Sequence, residues 1–261
     1  MNDYKGEYGV SLAFPPGLRP DPCQLDACAQ ASGGFSISQH LGVGDCAGAI
    51  TSSYLSESGG PVSVEALMWG LTFDVIGLAP GEGAPLPSCP YDFELPPGFD
   101  IAGHEAVRIL PGPHLRGGER LVPIVRAMAG LTAALCSLPD LAAVVWHPAR
   151  SRIAPAYFSA IVVNWLEGGV FPARGLVSLG EVADGAMQTE GVGYFTGQEL
   201  RIEPELMGDP AAATRIAVRL IDHLVTNGSL DRTVDIAGPE GRLLRIEPSE
   251  NGRLVRVWSA S

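Results

Sequence analysis

Basic side chains are scarce in this chain of 261 residues. Lys5 is the sole lysine, and Lys plus Arg total 17 against 29 Asp plus Glu, a formal net charge of −12. A balance of that sign repels phosphate backbones, so a general nucleic-acid binder is not expected. Arg150 and Arg152 are the densest basic pair, too sparse for a polybasic patch. A single lysine close to the start leaves little scope for Schiff-base catalysis. No Cys-x-x-Cys joins Cys23, Cys28, Cys46, Cys89 and Cys136, so neither a zinc ribbon nor a thioredoxin-type pair is written here. No His-Glu-x-x-His or His-x-His links His40, His104, His114, His147 and His223, and a metal would need ligands from separate elements. Gly-x-Ser-x-Gly and Gly-Lys-Ser/Thr are missing as well. No metal and no cofactor is expected.

Long apolar runs are also lacking. Residues 121–138 are the nearest approach, but Pro123 and Arg126 interrupt them. Their apolar positions (Leu121, Ile124, Val125, Met128, Leu131, Leu135 and Leu138) recur at helical spacing, which predicts a core helix and not a span of ~20 residues. The first eight residues hold no stretch resembling a signal peptide. Together with scattered thiols this predicts a reduced protein in the cytoplasm, outside any membrane.

What is present is a globular composition, 46% apolar and 18% charged, punctuated by 33 glycines and 22 prolines. Alternation at Tyr8, Val10, Leu12 and Phe14 predicts a strand, and Asp21-Pro22 a capped helix start ending at Gly33-Gly34. Strands are expected over 35–41, 49–55 and 71–78, with a short helix over 63–69. Residues 79–100 are rich in Pro and Gly and show no periodicity, although Tyr91, Phe93 and Phe99 suggest an ordered crossing. A strand over 104–110, the core helix, a buried strand over 141–146 and a helix over 155–166 follow. Strands over 176–182 and 199–203 flank a glycine-rich segment. Asp209-Pro210 opens a helix ending at Asn227-Gly228, and three strands close the chain, the last two joined by the turn 248–252. The pattern is α+β: an N-terminal lobe over 1–78, a connection over 79–100 and a C-terminal lobe over 101–261. Each lobe is a strand-helix-strand unit on a mixed or antiparallel sheet.

Two glycine clusters, Gly42-Val-Gly44 to Gly48 and Gly191-Val-Gly193 to Gly197, have three residues before the third glycine where the dinucleotide fingerprint has two. Neither is expected to open a phosphate-binding helix, and Asp45 or Glu199 would repel the anion. Turns are the simpler reading. Glu199, Glu203 and Glu205 share a strand face with Arg201, which predicts a solvated charged face. Trp146-His147-Pro148 ends a buried strand where loops gather.

One segment goes further. Thr189, Gly191, Phe195 and Glu199 stand behind His104, which opens a strand near mid-chain, and behind an apolar strand ending in Trp146. A helix running Leu224 to Gly228 precedes Thr233-Val234. Over about residues 100–258 this series resembles the bacterial domain of unknown function family 4261, with Thr196 where that family usually has glycine. The resemblance implies no activity and no catalytic residue. Candidate binding residues are therefore Trp146, His147, Thr189, Gly191 and Glu199. A non-catalytic binding or regulatory module, meeting another protein through an acidic surface, is the expected function. The alternative is an enzyme with a site assembled between the lobes near Trp146, His147 and Glu199.

Overall fold

The structure, a computed structural model, describes residues 9–41, 61–238 and 241–260. The strand expected over 49–55, the Gly42–Gly48 cluster, Cys46, Lys5 and Tyr8 lie outside these. The architecture is α+β, with sheets of eight and six strands in two compact units. The first unit holds residues up to His147 and Arg152–Gly168; the second holds Pro148–Ser151 and everything from Gly169.

In the first unit, the expected strand β1 (Val10–Phe14) is buried on both faces. It is central, running antiparallel to two neighbours, so neither face meets solvent. α1 (Pro22–Ser32) starts as predicted. Asp21 accepts from Gln24 N at 2.8 Å, Gln24 Oε1 accepts from Asp21 N at 3.0 Å, and Gly33 ends the helix at φ 62°. After β2 (Ser36–Leu41) comes β3 (Val62–Met68), where a helix over 63–69 was expected. Ala-Leu-Met favours a helix locally, but Val62, Val64, Ala66 and Met68 alternate into the core. Trp69-Gly70, at φ 51° and 78°, then makes the tight turn into β4 (Leu71–Leu78).

Residues 79–100 lie inside this unit, and the division falls after Gly168 instead. The stretch is ordered by its partners. Arg19 donates to Gly81 O at 2.7 Å, Ala84 N to Ala106 O at 2.8 Å, and Arg152 grips Asp92 with both prongs at 2.6 and 2.8 Å. β5 (Tyr91–Phe93) thereby joins the sheet, with β6 (Glu105–Pro111), β7 (Ala143–Trp146) and β8 (Ser151–Ile153). α2 (Val122–Leu135) is buried nearly all round, and Gly130 admits Met68 and Leu166 where a Cβ would stand 2.9 and 3.1 Å from them. α3 (Pro155–Leu166) buries Phe158, Val162 and Trp165.

The second unit begins with the short, kinked α4 (Ala173–Leu176). β9 (Ser178–Glu181), β10 (Met187–Glu190), α5 (Val192–Thr196) and β11 (Glu199–Ile202) follow. α6 (Pro210–Asn227) is capped by Asp209, which accepts from Ala211 N and Ala212 N at 3.0 and 3.1 Å. β12 (Val234–Ala237), β13 (Leu243–Pro248) and β14 (Leu254–Ser259) complete a mixed sheet in the order β12-β13-β14-β11-β10-β9, in which β11 and β14 are parallel.

Among the described residues no helix is long and apolar enough to cross a membrane, and no group of three His, Cys, Asp or Glu could hold a metal ion. Cys28, Cys89 and Cys136 are thiols outside any disulfide, and burial pushes the Cys136 thiol up to about 12, with Cys28 adding to the shift. Cys23 is disulfide-bonded, so the expected wholly reduced state does not hold.

Candidate functional site

Three of the five candidate residues meet in the second unit. β10 turns back into β11 antiparallel, with Met187 opposite Ile202 and Gln188 opposite Arg201, and this register carries Thr189 alongside Leu200. The chain between them needs a reversal of a few residues, and α5 supplies it. Gly191 opens α5 at φ 112° and Gly197 closes it at φ 82°, a left-handed region that costs L side chains about 1–2 kcal/mol. The turn expected of this glycine cluster is thus one short helical turn between two glycines.

The first backbone N–H groups of a helix have no partner within it. Here Glu199, from the strand that follows, supplies the acceptor. Its Oε1 accepts from Gly191 N and Gly193 N, both at 2.9 Å, and its Oε2 accepts from Val192 N at 3.2 Å. Oε2 also accepts the Thr189 hydroxyl at 2.6 Å, while Leu200 N donates back to Thr189 Oγ1 at 2.7 Å. A Cβ at Gly193 would stand 2.8 Å from Glu199 Oε1, so the carboxylate would have to shift off the amides. Gly191 is required twice over: its φ is positive, and a Cβ would press on Ala149 and on Leu176 O at 3.0–3.1 Å. Thr196, in place of the family's usual glycine, has the Val192 and Gln198 carbonyls at 3.2 and 3.0 Å as acceptors for its one hydroxyl proton and so closes the turn.

The helix N-terminus does attract an anion, and the anion is the chain's own carboxylate. Burial raises Glu199 above the ordinary carboxylate range, and the Thr189 hydroxyl and three amides only partly offset it. Glu190, next along β10, is also raised by burial. Arg150 at 3.5 Å works against that rise, and the charge of Glu199 adds to it.

Phe195 is only half-buried, with its ring edge-on to Phe171 at 4.9 Å. Tyr194 is the buried aromatic, because the helical turn points its side chain inward. The carboxylate face expected to be solvated also differs. Glu203 is buried and accepts from Arg256 Nε at 2.6 Å and Arg201 Nε at 3.2 Å. Burial raises its carboxyl, but the two guanidinium groups overcome that and hold it below the ordinary range.

Trp146 and His147 belong to the first unit. Trp146 has no exposed surface, and its ring lies 6.5 Å from that of Phe158. His147 Nε2 is 2.8 Å from the buried Ser11 hydroxyl. Sequence reasoning passed over Gln198, Arg219 and His223, which shape a cavity in the second unit. Arg219 and His223, one turn apart in a chain poor in cations, were the available signal.

No family model, no curated protein and no solved structure matches this chain.

Proposed function

We propose that the protein is a non-catalytic binding or regulatory module of the bacterial domain of unknown function family 4261, and that it meets another protein through an acidic surface. The fate of Glu199 carries this reading. A general acid or base must reach a substrate proton, and both oxygens of Glu199 are occupied by four donors of its own chain. The segment with the densest constraints is spent on structure.

The acidic surface has a candidate in the first sheet. Glu65 of β3 and Asp74 of β4 lie directly opposite each other, and neither forms an ion pair among the described residues. Burial and Glu65 raise the Asp74 carboxyl, and His114 offsets only part of the rise. Like charges directly opposed on a sheet cost stability, so a basic partner would gain from neutralising them. The family assignment rests on Thr189, Gly191, Phe195 and Glu199 with His104 and Trp146. A cytoplasmic location belongs to the same proposal. Three thiols outside any disulfide support it and the Cys23 disulfide argues against it.

Isolation of the tagged protein from its source cells at low and high salt tests the reading. A stoichiometric basic protein is expected at low salt, lost at high salt and lost with Glu65→Gln/Asp74→Asn. Turnover of a small molecule by the purified protein, abolished by Glu199→Gln in a variant that still folds, would overturn it.

A further inference from the structure

The six-stranded sheet is wider than the helix that packs on it. α6 lies on β11, and β12 is three strands away, ~14 Å at the usual strand spacing, beyond the ~10 Å width of a helix. Apolar side chains of the outer strands are left without a helix above them. Between them and α6 is a cavity of about 210 Å³. Leu220 and Leu224 of α6 form one wall, Leu200 and Ile246 the floor, and Val234 and Ile236 the far side. Leu230 closes one end and is held by hydrogen bonds. The buried Gln198 donates to Leu230 O at 2.9 Å and accepts from Leu230 N at 2.7 Å.

Two lining residues are polar. Arg219 and His223, one turn apart on α6 and both exposed, stand at the mouth. Among the described residues Arg219 makes no ion pair and no hydrogen bond. Asn227 Nδ2 donates to His223 O at 2.8 Å and lies 3.1 Å from His223 Nδ1. That network assigns Nδ1 as the acceptor and leaves the proton on Nε2 as a further donor. Two acids close in sequence to these lining residues have partners elsewhere. Asp222 accepts from Phe171 N at 3.2 Å, and Asp235, on the opposite face of β12 from Val234 and Ile236, is held by Arg245 at 2.9 Å. In a chain of net charge −12 this mouth reverses the sign.

We propose that the cavity binds a small apolar carboxylate, its tail among the leucines and isoleucines and its head on Arg219 and His223. The volume lies between the ~150 Å³ that encloses benzene and the ~300–1,000 Å³ of drug-sized sites, which suits a chain of about eight carbons or one aromatic ring. A carboxylate takes two parallel N–H groups from a guanidinium. A neutral ligand of the same shape would leave Arg219 unused, and a cationic one would be repelled. This site goes beyond the protein-partner reading, and neither depends on the other.

Calorimetric titration of the full chain with octanoate, 1-octanol and octylamine tests the proposal. Octanoate is expected to bind one-to-one and at least about tenfold more tightly than octanol, with octylamine weaker still. Arg219→Gln, at an exposed position, should leave thermal melting unchanged and bring octanoate down to the affinity of octanol. Val234→Trp should fill the cavity and abolish both. Methyl NMR locates the ligand without a variant: shifts are expected at Leu220, Leu224 and Leu230. The absence of saturable octanoate binding, equal affinity for octanol, indifference to Arg219→Gln, or methyl shifts centred elsewhere would each overturn it.

Discussion

The two sheets treat their carboxylates in opposite ways. In the second sheet, Glu199 opens β11 and Glu203 directly follows it, and each is surrounded by donors: amides and a hydroxyl for the first, two guanidinium groups for the second. In the first sheet, Glu65 and Asp74 face each other with no ion pair among the described residues: Glu65 accepts the Ser38 hydroxyl at 2.5 Å, and His114 offsets only part of the rise at Asp74. Carboxylates surrounded by donors hold a fold together, whereas opposed like charges without a cation weaken it and are available to something outside. The neutral and charged donor sets also differ from each other. Four neutral donors do not fully offset the deeper burial of Glu199, whereas two cations more than offset the shallower burial of Glu203.

The largest test removes the acceptor from the bend. Glu199→Ala leaves three amides and the Thr189 hydroxyl facing a void, and should cost about 3–5 kcal/mol in chemical denaturation at neutral pH. A loss under ~1 kcal/mol would show that water replaces the carboxylate at little cost. Gly191→Ala follows, at about 2–4 kcal/mol. Positive φ contributes roughly half of that, and the close approach to Ala149 and Leu176 O the rest. Gly197, also at positive φ but with open space around it, should cost less when changed to Ala, so the pair separates strain from crowding.

Glu203→Gln should cost about 1–3 kcal/mol at neutral pH, since charge-assisted bonds to Arg256 and Arg201 are lost. The sign of its pH dependence is fixed by the lowered carboxyl. The stability that Glu203 contributes is fully present above the unfolded value, near 4.5, and is lost as pH falls through the lower folded value. The gap between the wild type and Glu203→Gln should therefore narrow in acid. Glu199, raised on folding, acts oppositely: its ionisation costs stability as pH rises through the folded value, so the wild type should gain on Glu199→Gln as pH falls towards 4.5. Denaturation curves of both variants across this range check the two signs. The smallest effect is a gain: Asp74→Asn removes one of two opposed charges and should stabilise by ~0.2–1 kcal/mol. A loss of stability there would mean that the pair is satisfied within the protein, and would remove the acidic face from the proposed function.

Much of this fold is determined by short stretches of sequence. Asp21-Pro22 with Gln24 starts α1, Asp209-Pro210 starts α6 and Gly228 ends it, and Pro155–Leu166 is a helix with the expected bounds. Caps, prolines and turn glycines act over about four residues, so their causes and effects lie together in the chain. The α+β class follows from adding such elements up. Tertiary structure decided the rest, because the partners come from elsewhere. β3 is a strand although Ala-Leu-Met favours helix, since its alternation is paired on both sides by β2 and β4. Residues 79–100 are ordered by Arg19 and Arg152, far away in sequence, and so do not divide the chain. Thr189, Gly191 and Glu199 were legible as a group, but that Glu199 would turn back onto the amides of α5 depends on the β10–β11 register. The cavity beneath α6 could not be read at all. It exists because one helix is narrower than six strands, and strand order is not written in any local stretch.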